Sequence, residues 1–161
     1  MLRHIQESDQ AAILAIATSP KVNPTYMLPD FAKTEDAIPL FQRLMALSRE
    51  ENRFVRAIEA NGVCVGFLND VEQKDGAIEL GYALHPDHWG NGYATAALKE
   101  AIGQLFARGF RQVVCGAFRT NAASIRVMEK AGMQRIPLEE TIEYRGQAHR
   151  CIYLSITLET L

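Results

Sequence analysis

The chain has 161 residues, 48% of them hydrophobic and 22% charged, with a formal charge of −2 at pH 7. That is enough chain for one domain with a full core, built without disulfide or metal staples. The slight acidic balance argues against a nucleic-acid or membrane surface as its partner. No stretch approaches the ~20 apolar residues that span a bilayer, and Met1 to Glu7 lacks a signal-peptide core, so a cytosolic location is expected. Cys64, Cys115 and Cys151 each fall inside a strand-like apolar run. An odd number without close pairs is a poor disulfide framework and a poor zinc site and reads as small buried hydrophobes, with a catalytic thiol as the alternative.

In chain order, Leu2 to Gln6 reads as a short first strand. A helix follows over Gln10 to Thr18, capped by Ser8 or Asp9. Prolines 20, 24 and 29 punctuate a loop from Ser19 to Lys33, whose Tyr26-Met27-Leu28 and Phe31 are apolar for a surface connection. Such a loop either tucks against the core or lines a pocket. Thr34 is the expected cap of a second helix, with Ile38, Phe41, Leu44, Met45 and Leu47 inward. Strands over Phe54 to Glu59 and Val63 to Leu68 are joined at Asn61-Gly62, a hairpin signature. Lys74-Asp75-Gly76 turns the chain into a third, central strand, completing an antiparallel meander.

Alternation sorts that central strand: Ile78, Leu80, Tyr82 and Leu84 on one face, Glu79, Gly81 and Ala83 on the other. Packing alone accounts for two small residues, but not for a carboxylate beside them. The room they leave suits a helix backbone or a ligand, and Tyr82 reads as core. The strand runs into His85-Pro86-Asp87-His88-Trp89-Gly90-Asn91-Gly92, then a helix to Arg108 with small residues at its start and Gly109 at its end. Strand, glycine-bearing loop and helix N-terminus together aim free backbone N–H groups at one point, which suits a phosphate. Arg111 to Phe118 reads as a buried strand parallel to the central one through a right-handed crossover. Asn121 to Ser124 opens a helix with Ile125, Val127, Met128 and Ala131 inward, ended by Gly132. Strands over Met133 to Ile136, Thr141 to Tyr144 and Arg150 to Leu158 follow, with a turn at Arg145-Gly146-Gln147. The order defines a single α+β domain over residues 1–161, with a mixed, mostly antiparallel sheet and about four helices.

Among phosphate-binding modules, a P-loop fails because Gly92 is followed by Tyr93-Ala94 and not Lys-Ser/Thr. A dinucleotide fold, and with it an oxidoreductase, is a weak candidate, because Thr95 misses the sixth position of its glycine pattern and no carboxylate follows Phe118-Arg119. The segment from Glu79 to Arg135 instead resembles the acetyl-CoA-binding core of the GNAT superfamily of N-acetyltransferases. Trp89-Gly90-Asn91-Gly92-Tyr93-Ala94 aligns with that family's Gln/Arg-x-x-Gly-x-Gly/Ala loop, and Asn121-Ala122-Ala123-Ser124 through Met133 with its second CoA-contacting helix. Glu-Leu-Gly-Tyr, Trp-Gly-Asn-Gly-Tyr-Ala-Thr and Asn-Ala-Ala-Ser are most like the RimJ/RimL branch. Trp89 departs from the usual Gln/Arg, and Ala96 stands where the branch often has Glu.

The resemblance implies a GNAT-like fold and acetyl transfer from acetyl-CoA to a primary amine, with the cofactor held by Leu84, His85, Trp89, Gly90, Asn91, Gly92, Tyr93, Ala94, Thr95, Asn121 and Ser124. An alkyl amine is protonated at neutral pH, so a base is needed, and Glu79 is the expected one, through a water. A backbone N–H around Leu84 or His85 is the implied oxyanion donor. No Tyr lies between Asn121 and Gly132 to serve as the acid, so Ser124 takes its place beside the sulfur. Its plain alternative is a polar residue in a helix's first turn, as Asn121's is a cap. No metal is expected, since His85 and His88 lack a third ligand. A non-catalytic acyl-CoA-binding module is the alternative, and Glu79 counts against it. A protein N-terminus, a polyamine, an amino acid or a drug all remain open as acceptor, and a homodimer is in keeping with the branch.

Overall fold

A computed structural model describes residues 1–160. Its seven strands form one sheet in the order β1-β2-β3-β4-β5-β7-β6. They are β1 (Leu2–Arg3), β2 (Val55–Ala60), β3 (Val63–Lys74), β4 (Ala77–Leu84), β5 (Gln112–Phe118), β6 (Gln134–Tyr144) and β7 (Gln147–Thr157). All neighbours are antiparallel except β4 and β5. The helices α1 (Gln10–Ala17), α2 (Ile38–Leu47), α3 (Tyr93–Ala107) and α4 (Ala122–Lys130) cover the two faces in pairs.

The pairing of faces follows from alternation. Ile78, Leu80 and Leu84 join the core under α3 and α4 with Leu98, Ile102 and Leu105. Ala83 joins the core under α1 and α2 with Phe67, Ile13 and Phe41. Leu98 is 0% exposed, and burial of such a side chain stabilises by roughly 1.5–3 kcal/mol. The small Ala97 and Ala101 let α3 lie close to the sheet.

Several boundaries differ from the sequence-based expectation, each for a local reason. The first strand stops at Arg3, because Asp9 draws the chain round: its carboxylate takes both terminal Arg3 guanidinium nitrogens at 2.8 Å and the Gln6 N–H at 2.8 Å. A 3-10 turn over Glu7–Asp9 then leads into α1. Thr34 caps nothing; it opens a 3-10 turn over Thr34–Ala37, and the Asp36 carboxylate accepts the Lys33 N–H at 3.1 Å. β3 runs on to Lys74 past a register shift between Asp70 and Glu72, and the two expected pieces of β6 are one strand with a shift between Arg135 and Glu139. All three hairpin turns place a left-handed pair, Asn61-Gly62, Asp75-Gly76 and Arg145-Gly146, the geometry that matches strand twist.

Candidate active site

β4 and β5 pair in parallel only from Ala77↔Gln112 to Leu80↔Cys115. Beyond that they part, and the gap opens into a cavity of about 400 Å³. Tyr82, Ala83 and Leu84 line it from β4, the loop from His88 to Thr95 covers one end, and Asn121 to Lys130 of α4 form the opposite wall. Of the residues expected at a cofactor, the cavity brings together Leu84, Trp89, Gly90, Gly92, Tyr93, Ala94, Thr95, Asn121 and Ser124. His85 and Asn91 belong to the same loop but do not line it. The Asn91 amide instead donates to the His88 and Trp89 carbonyls at 3.2 and 3.4 Å.

The loop's conformation sets its chemistry. Gly90 and Gly92 sit at φ of 80° and 78°, a left-handed region that costs an L side chain about 1–2 kcal/mol. Nothing lies within 4 Å of a Cβ added at either position, so backbone conformation and not crowding calls for glycine. Among the described residues, the N–H groups from Gly90 to Thr95 find no protein acceptor. Tyr93, Ala94 and Thr95 open a helix of 15 residues, so its dipole adds to their pull on an anion. Arg126 and Lys130 supply full positive charges on the far wall. With Ala123 and Val127 they fall at the i, i+3, i+4, i+7 spacing of one helix face. That spacing was readable in the sequence, but it was read there as a core stripe through Val127.

At the end of β4 the two oxyanion candidates separate. The His85 N–H is committed to the Val65 carbonyl at 2.9 Å. An antiparallel ladder alternates, so Leu84 turns its own N–H and C=O away from β3 and toward the gap. The Trp89 indole N–H takes that carbonyl at 3.0 Å, which leaves the Leu84 N–H as the free donor. Ser124 stands across the gap, its N–H capped by the Asn121 side chain at 3.1 Å. Its hydroxyl lies 2.9 Å from the Tyr82 hydroxyl. Tyr82 is therefore not simply core: its ring packs there, and its polar end reaches the cavity.

Glu79 is on the other face of β4, two residues before Gly81 and so about 7 Å from it along the strand. It does not line the cavity. It is half-buried beside β3, paired with Glu72 across the ladder. Burial, with the charges of Glu72 and Glu140 behind it, raises its carboxyl above the ordinary value. Glu140 in turn accepts the Tyr153 hydroxyl at 2.8 Å. The room above Gly81 is taken by neither a helix nor open space: a Cβ there would lie 3.4 Å from the Tyr26 ring. The Tyr26 hydroxyl donates to the Asn69 side chain at 2.6 Å.

From Tyr26 the loop continues to the tip of the β6–β7 hairpin. The Leu28 N–H donates to the Tyr144 hydroxyl at 3.1 Å, that hydroxyl donates to the Leu28 carbonyl at 3.2 Å, and Arg145 meets Asp30 at 2.6 Å. Loop and hairpin thus bridge the open face of the sheet. The loop does both things the sequence allowed: Tyr26, Leu28 and Phe31 pack on the core, and Thr25 lines the cavity. The cysteines are free, Cys115 and Cys151 buried and Cys64 half-buried. Burial pushes the Cys64 thiol up to about 11, which makes it a poor nucleophile at neutral pH.

Comparison with known proteins decides what this site belongs to. Residues 1–134 match the acetyltransferase (GNAT) domain family. The chain belongs to the GNAT acetyltransferase family. With the family come an acyltransferase activity and acetyl-CoA as co-substrate. An uncharacterized N-acetyltransferase of Bacillus subtilis, YoaA, is 30% identical over 141 residues, covering 84% of this chain and 79% of that one. Two solved structures share the fold. RimJ of Mycobacterium smegmatis, in complex with CoA-disulfide, has a TM-score of 0.85 at 22% identity, over 99% of this chain and 82% of that one. The putative acetyltransferase yncA of Salmonella typhimurium, with acetyl-CoA, has a TM-score of 0.74 at 22% identity, over 98% and 93%.

Proposed function

We propose that this GNAT N-acetyltransferase moves the acetyl group directly to a primary amine while both substrates are bound. The observation that carries the reading is the row of unpartnered N–H groups from Gly90 to Thr95, which opens onto the same cavity as the Leu84 N–H and the Ser124 hydroxyl. In this reading the loop holds the pyrophosphate, with Arg126 and Lys130 drawing the charge. The thioester lies where β4 and β5 part. The Leu84 N–H holds the oxyanion, because its geometry is fixed before charge develops.

Glu79 takes the proton of the incoming ammonium. Its raised carboxyl is nearer neutrality than an exposed one, which improves a general base. Its place on the opposite face requires a water between carboxylate and amine. The amine then attacks the carbonyl carbon, the C–S bond breaks, coenzyme A leaves as thiolate beside Ser124, and the second amine proton passes to solvent. In this reading the acceptor is an amine on a small molecule or on an extended chain end. The resemblance of its motifs to the RimJ/RimL branch supports the chain end, and the carboxylates of Glu72, Glu79 and Glu140 support a cationic acceptor of either kind.

The test is calorimetric titration of acetyl-CoA, followed by a thiol-release assay over peptides with free N-termini and small primary amines. Micromolar binding with amine-dependent release is expected. Absence of binding contradicts the reading.

A further inference from the structure

The Tyr82–Ser124 pair has more acceptors than protons, and the count gives it a function. Tyr82 has one hydroxyl proton and Ser124 has one. Three oxygens are within reach: the Ser124 carbonyl at 3.2 Å from the Tyr82 hydroxyl, and the two hydroxyl oxygens, 2.9 Å apart. Either hydroxyl can donate to the other, and in one arrangement both protons are spent inside the pair: Tyr82 donates to the Ser124 carbonyl, and Ser124 donates to Tyr82. In the other arrangement Tyr82 donates to the Ser124 hydroxyl, and the Ser124 proton turns into the cavity. The exchange costs little, because the Ser124 carbonyl lies in the first turn of α4, where the helix ladder already supplies a partner. It is favourable only when the cavity offers a stronger acceptor than a neutral oxygen, and a thiolate is one.

We propose that Tyr82 is a positioning residue that hands the Ser124 hydroxyl proton, as a hydrogen bond, to the departing thiolate. No proton transfer is required, because the thiol of coenzyme A is already a competent leaving group. The contact is made as negative charge reaches the sulfur and not before, so it lowers the barrier without tightening substrate binding. Burial holds the Tyr82 hydroxyl well above its ordinary value, so it remains a donor throughout. The Asn121 cap on the Ser124 N–H fixes the first turn that carries the serine. This inference rests on the acetyl-CoA reading of the cavity.

The experiment uses coenzyme A itself and needs no acceptor. Its thiolate absorbs in the ultraviolet, so the thiol pKa in the complex is read by pH titration of wild type, Tyr82→Phe, Ser124→Ala and the double variant. Binding is followed by fluorescence of Trp89, the single tryptophan. A hydrogen bond to the charged form shifts a pKa by about one unit. The bound thiol is expected about one unit lower in wild type than in each single variant, with the double variant no different from Ser124→Ala, since Tyr82 acts through the serine. Affinity of Tyr82→Phe for acetyl-CoA is expected unchanged within about threefold, which shows that the site has kept its shape. A thiol pKa in Tyr82→Phe equal to that of wild type, or effects that add in the double variant, overturns the proposal while leaving the acetyl-CoA reading intact. Failure of wild type to bind coenzyme A overturns both.

Discussion

The two faces of β4 differ in what they offer a reaction. On the side of α3 and α4 the strand contributes the Tyr82 hydroxyl and the Leu84 N–H to a cavity completed by the loop N–H groups and the Ser124 hydroxyl, and cations stand only on its far wall. Toward the α1–α2 loop it presents Glu79, with Glu72 and Glu140 close enough to raise its carboxyl. The first face suits a polyanion and a thiolate; the second suits an ammonium group. A strand alternates every residue, so under the proposed function one short segment would serve two substrates of opposite charge without mixing their environments. The gap between β4 and β5 is where the two meet.

That division can be broken from either side. The largest effect on the anion face is expected at Gly92, which opens α3 in a left-handed conformation. Gly92→Val strains that turn and displaces the N–H row, so acetyl-CoA binding should weaken tenfold or more, about 1.4 kcal/mol upward, measured by calorimetry. Arg126→Ala with Lys130→Ala should weaken it by a smaller factor, about threefold, and the loss should shrink as salt rises. On the acceptor side, Tyr144→Phe removes the hydroxyl that joins hairpin to loop. The expected cost is about 1 kcal/mol of stability, with a raised KM for the amine and an unchanged affinity for acetyl-CoA.

The smallest effect has an unusual sign. The Glu79 carboxyl is raised in the folded state, so folding favours its protonated form. The stability this contributes is full below about pH 4 and is lost as pH rises through the folded value. Glu79→Gln should therefore unfold at a slightly higher temperature than wild type at pH 7, with the gain vanishing near pH 4. A thermal melt at the two pH values checks it. Such a residue is held against its own stability preference, which is the pattern of a site kept for chemistry.

The antiparallel meander from β2 to β4, the parallel β4–β5 pair and the loop over Gly90 and Gly92 were legible because each rests on a short-range signal: alternation, a turn pair, an apolar run after a helix. The boundaries that moved, at Arg3, Thr34 and β6, depend on a carboxylate folding back on a group three to six residues away or on a register shift, and neither leaves a periodic trace. Tyr82 shows the limit most clearly. Alternation put its ring on the core face correctly, but the destination of its hydroxyl depends on α4, 42 residues away in the chain. The bridge from Leu28 to Tyr144 spans 116 residues and was invisible for the same reason.

The most direct measurement of the division is Glu79→Gln assayed for both substrates at once. The account predicts acetyl-CoA affinity within about twofold of wild type, together with a fall in turnover of roughly 10²–10⁴. Turnover that survives the substitution would remove Glu79 as the base. Acetyl-CoA binding that falls with turnover would show that the two faces of β4 are not separate.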